Sequence, residues 1–229
     1  MSISMPDRTR ARQLAAEYVA KGDPTGWFEA LYREAEDGSS VVPWVELEPN
    51  PNLLEFWRTH AIETAGKRAL KIGCGLGDDA EQLARWGFET TAFDISPTAI
   101  SGCRRRFPAS PVHYAAADLL NPPPEWPNAF DFVLESYTIQ VLPPELRTAA
   151  MERAAGFVRP GGNLLVIARA REENDPRGEM PWPLTRDELS QFRRLGLREL
   201  GFEDFADNER PPVRRFRAFY VRPAAAGVE

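Results

Sequence analysis

Five apolar runs, at 68–73, 89–94, 111–115, 130–135 and 162–169, alternate with stretches of helical periodicity at 77–86, 96–106 and 143–157. This alternation constrains the fold more than any other feature. A strand followed by an amphipathic helix has to cross the sheet to reach the next strand, and such crossovers make parallel, right-handed βαβ units. The expected class is α/β, a Rossmann-like parallel sheet with helices on both faces. Pro160-Gly161-Gly162 is expected to turn the chain into the fifth strand. Thr185, with Glu188 at capping-box distance, opens a helix over 185–194. Runs 197–205 and 213–221 read as two closing strands about a turn at Pro211-Pro212.

Ahead of the sheet, residues 1–22 are polar and helix-compatible and end at Gly22-Asp23-Pro24. Trp27, Phe28, Leu31 and Tyr32 recur at helical spacing within 25–37. A loop with Val42-Pro43-Trp44 and Pro49-Asn50-Pro51 follows, then a helix over 52–65. The expected organisation is an N-terminal extension at 1–24, a helical cover at 25–65, the sheet domain at 66–222 and a tail at 223–229, frayed from Ala224.

The first strand runs into Ile72-Gly73-Cys74-Gly75-Leu76-Gly77. Glycine lets a chain turn sharply and lets a ligand approach without a Cβ in the way. The helix that follows presents free N–H groups at the same point. Asp94 lies 21 residues after Gly73, at the end of the second strand, where a carboxylate can accept ribose hydroxyls. Asp118 lies 24 residues further on, after the third strand, where an adenine amino group finds an acceptor. The glycine loop and two acids, at three consecutive strand ends, read as one nucleoside site. A nicotinamide fingerprint needs G-x-G-x-x-G, whereas here the pattern is G-x-G-x-G followed by Asp78-Asp79. Two acids at a helix N-terminus repel a pyrophosphate and suit a ligand with an ammonium and a sulfonium, such as S-adenosylmethionine.

Other classes are disfavoured. The net charge of −6 gives no global attraction to nucleic acid, and the basic runs Arg104-Arg105-Arg106 and Arg214-Arg215-Phe216-Arg217 read as solvated faces. No apolar run approaches the roughly 20 residues needed to span a membrane. Two cysteines, Cys74 and Cys103, and two histidines, His60 and His113, make no zinc pattern and fit a reducing cytoplasm.

The residues resemble class I S-adenosylmethionine-dependent methyltransferases across 66–222. The likeness rests on the glycine segment, Phe93-Asp94-Ile95-Ser96, Ala117-Asp118-Leu119, Phe130-Asp131-Phe132-Val133-Leu134-Glu135 and Val158-Arg159-Pro160-Gly161-Gly162. It implies a sheet order 3-2-1-4-5-7-6 with strand seven antiparallel. Trp27, Tyr32, Pro43-Trp44, Pro49-Asn50-Pro51 and Met180-Pro181-Trp182-Pro183-Leu184-Thr185 look like the thiopurine, thiol and halide methyltransferases. That likeness implies methylation of a small thiol, thione or halide, although Val45 stands where many members carry an acid. Lys71 departs more sharply, because that position usually carries the acid that helps hold the methionine ammonium. Lys71 is expected to turn away and pair with Asp78, Asp79 or Asp131, leaving Glu135 or backbone carbonyls for the ammonium.

The expected cofactor contacts are Trp27, Trp44, Gly73, Gly75, Gly77, Asp79, Asp94, Ile95, Asp118, Leu119 and Glu135. Arg169, at the end of strand five, is expected to stabilise an anionic nucleophile, with Tyr137 beside it. Tyr32 and Trp182 are expected on the substrate side, and Trp27, Trp44 and Trp182 offer aromatic faces that attract a sulfonium. Trp57 and Trp86 read as core. A shortage of bases suits a nucleophile already soft or anionic at neutral pH. The expected activity is that of a cytoplasmic, metal-independent monomer acting on a small molecule. An O- or N-methyltransferase, or a cofactor-binding protein without turnover, are the alternatives.

Overall fold

The computed structural model describes residues 7–224. Residues 1–6 and most of the expected tail lie outside the described residues. Two strands form the centre of the sheet, β1 (Arg68–Ile72) and β4 (Phe130–Ser136), and both are buried on both faces, as parallel strands under helices must be. β2 (Glu89–Asp94) and β3 (His113–Ala116) extend one edge. β5 (Val158–Arg169), β7 (Arg214–Val221) and β6 (Arg198–Ala206) extend the other. The seven strands run β3-β2-β1-β4-β5-β7-β6. Pairing is parallel from β3 to β5, and β7 is antiparallel to both β5 and β6. Fold class and strand order are therefore as expected.

The helices are α1 (Thr9–Ala20), α2 (Gly26–Glu36), α3 (Pro51–Thr59), α4 (Asp78–Arg85), α5 (Pro97–Arg106), α6 (Pro144–Phe157) and α7 (Arg186–Arg194). α6 and α7 cover one face of the sheet, where Met151, Phe157, Leu189 and Phe192 pack on Leu70, Val133 and Val166. α3 covers the other face, setting Leu53 and Phe56 on Ala69, Phe132 and Leu165. Trp57 and Trp86 stack at 4.0 Å against the second cluster, as read from the sequence. Ser96 caps α5, and Thr185 and Glu188 make the full capping box of α7.

Two expectations change. The helix expected over 52–65 stops at Thr59, whose Oγ1 donates to the Phe56 carbonyl while His60 turns extended and stacks on Phe56 at 3.9 Å. Pro160-Gly161-Gly162 is no turn before strand five but a bulge inside it. The strand begins at Val158, opposite Phe130, and the register shifts before Asn163 pairs with Phe132. A Cβ at Gly162 would lie 2.8 Å from the Phe130 carbonyl oxygen, so only glycine passes there. Within the expected 1–24 extension, Ala11, Leu14 and Ala15 of α1 pack with Trp27 and Leu31 of α2.

Polar anchors then fix the cover to the sheet. Glu29 accepts from Ser96 Oγ (2.6 Å) and Thr98 Oγ1 (2.8 Å) at the start of α5. The Asn50 N–H donates to Asp79 (2.8 Å), and Arg12 donates to the Met180 carbonyl (2.8 Å). The basic runs are engaged within the chain. Arg105 pairs with Glu36, Arg106 with Asp78, Arg214 with Asp204, Arg215 with Asp207 and Arg217 with Glu203.

At the opposite end of the sheet Asp131 accepts from the Arg68 N–H (2.9 Å) and Arg159 Nε (2.7 Å). Burial works to raise its pKa, but these partners and Lys67 outweigh it and hold the carboxyl below its ordinary 3.8. A depressed folded-state pKa gives stability that is fully present above 3.8 and is lost as pH falls through the folded value. Asp131→Asn is expected to cost about 1 kcal/mol at neutral pH. Urea midpoints at pH 7 and pH 3 check this, because the gap between the two proteins is expected to narrow at the lower pH.

Candidate active site

Parallel strands deliver their carboxyl ends to one edge, and the loops there enclose a cavity of about 1790 Å³. The glycine loop forms its floor. Gly73, Gly75 and Gly77 all sit at positive φ, 57°, 54° and 96°, where a side chain is strained. Gly73 and Gly75 line the cavity. Gly77 does not, which corrects its expected cofactor contact. It is the N-cap of α4, and a Cβ there would meet the Tyr114 hydroxyl at 2.6 Å, which donates to Glu81.

Asp94 reaches the same floor from β2. Its carboxylate accepts from the Gly75 N–H (2.9 Å) and the Ser96 N–H (3.0 Å), so it braces the loop as well as facing the cavity. Burial pushes its carboxyl up, against those N–H groups and the charge of Lys71. Ile95, Asp118 and Leu119 continue the wall, and Asp118 Oδ1 accepts from the Leu120 N–H. Asp79 lines the cavity but is also spent on Asn50 and on the Ser136 hydroxyl (3.1 Å). Asp78 is paired with Arg106, so only one of the two helix-start acids stays without a cationic partner among the described residues.

Lys71 does not turn away. It is 2 % exposed, and Nζ donates to the Ile72 (2.7 Å) and Gly73 (3.2 Å) carbonyls on the cavity wall. Asp78, Asp79 and Asp131 have other partners, so none is the expected counter-ion. Glu135 does not reach the cavity wall, which corrects its expected contact. Its Oε1 accepts from the Thr138 (2.7 Å) and Ile139 (3.0 Å) N–H groups, and Oε2 is buried with no partner among the described residues. Burial raises its pKa, opposed by the Ile139 N–H, Lys71 and the Thr138 N–H. Both groups are buried beside the loop, each held by backbone, and the charge of Lys71 acts on the acid without a direct contact among the described residues.

A second compartment opens beyond β4. Tyr137 follows the strand at a φ of 64°, an unusual conformation for an aromatic residue. It is held by Asn52 Nδ2, which donates to its hydroxyl (3.0 Å), and by the Arg215 guanidinium over its ring (4.9 Å). Burial raises its hydroxyl pKa, against Arg215 and Asn52. Arg169 lines the same compartment, and its side chain has no ion pair with Glu172, Glu173 or Glu135 among the described residues. Tyr32 and Trp44 line the roof, with Trp44 Nε1 donating to the Tyr32 hydroxyl (3.0 Å). Burial and the charge of Asp94 keep that hydroxyl protonated.

Trp27 and Trp182 are corrections. Trp27 is buried, stacked on Phe28 at 3.8 Å, and Trp182 packs in the same cluster with its N–H on the Gln140 carbonyl. Neither lines the cavity. Nor do His60 and His113. Arg8, Asn52 and Arg215 do line it and were not found from the sequence. No local pattern marks them, because each arrives through packing of a distant segment.

Residues 69–162 match the family described as a methyltransferase domain. The chain is 33% identical over 119 residues to the ubiquinone biosynthesis O-methyltransferase of Xanthomonas euvesicatoria, covering 51% of this chain and 48% of that one. It therefore spans about half the length of that relative. A probable thiol methyltransferase of Arabidopsis thaliana is 25% identical over 205 residues, covering 87% of this chain and 84% of that one. The N-methyltransferase NodS of Bradyrhizobium japonicum, solved with S-adenosylhomocysteine, superposes with a TM-score of 0.65 at 20% identity, over 84% of this chain and 98% of that one.

Removing the lysine would take away the cation that works against the burial of Glu135 and Asp94. Lys71→Met is expected to cost about 2–4 kcal/mol in urea unfolding at neutral pH. Adding Glu135→Gln is expected to recover at least half of that loss, and a double-mutant cycle measures the coupling.

Proposed function

We propose that this chain is an S-adenosylmethionine-dependent methyltransferase acting on a small soft nucleophile, a thiol, thione or halide. The observation that carries the reading is one continuous cavity with two differently furnished ends. One end has the Gly73 and Gly75 backbone between Asp94 and Asp118. The other has Tyr137 and Arg169, whose side chain has no carboxylate partner among the described residues.

The residues present fit the cofactor. Asp94 keeps lone pairs for ribose hydroxyls after bracing the loop, and Asp118 offers an acceptor to an adenine amino group. Gly73 and Gly75 bring backbone, not side chain, to the floor. Trp44 and Tyr32 give an aromatic roof that favours a sulfonium and excludes water. The cofactor supplies a methyl group on a sulfonium, open to in-line displacement by the acceptor atom. The chain's part is alignment and dehydration. The α1–α2 cover lines one side of the cavity through Ala11, Phe28 and Tyr32, and Arg169 steadies negative charge on the acceptor side.

The soft-nucleophile reading is supported by the wall itself, on which neither histidine lies. It is also supported by the extent of likeness. The thiol methyltransferase aligns over most of both chains, while the ubiquinone O-methyltransferase aligns over about half of each. We read the chain as a cytoplasmic monomer, in keeping with two free, buried cysteines. No helix among the described residues is long and apolar enough to cross a membrane.

Incubation with methyl-labelled S-adenosylmethionine and a panel of thiols, iodide, phenols and amines tests the reading. Label on sulfur or iodide is expected, and label only on oxygen or nitrogen would replace this acceptor class. Asp94→Asn is expected to weaken S-adenosylhomocysteine binding about tenfold or more by calorimetry, through lost charged hydrogen bonds.

A further inference from the structure

β5 and β7 run antiparallel, and their register sets Arg169 directly opposite Arg215. Like charges facing each other across a strand pair destabilise it. Arg215 is compensated. Only 3 % exposed, it pairs with Asp207 (2.6 Å) and Glu209. Arg169 is not. Its backbone N–H is held by Gln140 Oε1 (2.7 Å), which fixes the end of the strand, but its guanidinium has no acceptor among the described residues. Arg8, just before α1, lines the same compartment and its side chain also has no acceptor among the described residues. Both side chains are half-buried, so water screens them only in part.

We propose that Arg169 and Arg8 form a subsite for an anionic group of the acceptor, a carboxylate, so that the substrate is a soft nucleophile carrying an acid. The inference rests on the methyltransferase reading for the word acceptor, but the subsite stands on the arginines alone. Arg169 has cationic neighbours: burial lowers its pKa, Arg8 and Arg215 lower it further, and Glu209 and Tyr137 work against them. Arg8 is likewise lowered by burial, with Glu209 and Glu46 opposing and Arg12 and Arg215 reinforcing. A bound anion relieves both. Asp207, Glu209 and Glu46 lie on the same wall and disfavour a phosphate dianion. The planar guanidinium presents paired N–H groups that match the two oxygens of a carboxylate. Tyr137, under Arg215, provides a flat face beside this subsite for the body of the molecule.

The test is calorimetric titration with matched thiols, 3-mercaptopropionate against 3-mercaptopropanol and 4-mercaptobenzoate against 4-mercaptobenzyl alcohol. Each is measured with and without saturating S-adenosylhomocysteine. The acids are expected to bind about tenfold or more tightly than the alcohols. Arg169→Met is expected to erase that preference and Arg169→Lys to retain part of it. Thermal unfolding shows whether each variant is folded, and Arg8→Gln, in the α1 cover and off the sheet, gives an independent second variant expected to halve the preference or more. Equal binding of acid and alcohol, no binding of either, or a preference untouched by both substitutions overturns the proposal. Failure of S-adenosylhomocysteine to bind would instead overturn the cofactor reading, and label on oxygen with the acid preference intact would overturn only the soft-nucleophile reading.

Discussion

The parallel pairing of β1 between β2 and β4 is the constraint on which the rest depends. Parallel strands need crossovers, so each strand enters the sheet from the same side and leaves at the same edge. Gly73, Asp94, Ser136 and Asp118 lie far apart in sequence and meet there because every second element is a helix that returns the chain to its start. Antiparallel β7 breaks the pattern. It brings Arg215 and Arg217 to the edge where β5 ends, so the cavity has a cationic side that a purely parallel sheet would lack.

Charge burial is organised around that edge. Asp94, Glu135 and Lys71 are each at most 7 % exposed within a few residues of the glycine loop. A buried charge costs several kcal/mol unless hydrogen bonds and an opposite charge offset it. Asp94 has two backbone N–H groups and Glu135 has two more, while Lys71 has two backbone carbonyls. The backbone turn that glycine permits supplies part of this solvation. Loop conformation and the electrostatics of the site are therefore one design, and a change in either disturbs the other.

Much of this was legible beforehand. Strand and helix spacing specified the sheet, and Gly73, Gly75, Asp94, Asp118, Arg169 and Tyr137, each picked out by its place at a strand end, all line the cavity. The misreadings share a cause. Trp27 and Trp182 were assigned from residue type, but an aromatic side chain serves a core and a lid equally well, and only packing decides. Gly77 was assigned from a pattern shared with Gly73 and Gly75, yet the space it preserves is for Tyr114.

By itself the sequence determined the order of elements, because periodicity and turn chemistry act over a few residues and hold in any surroundings. It also determined which strand ends carry acids. Tertiary structure alone decided where Lys71 sends its ammonium, that Glu135 keeps a buried oxygen without a partner, and that Arg8 and Arg215 join Arg169. Those outcomes depend on desolvation and on how separate segments pack, Arg8 and Arg215 being the widest apart in sequence, and neither quantity is encoded in any short stretch of chain.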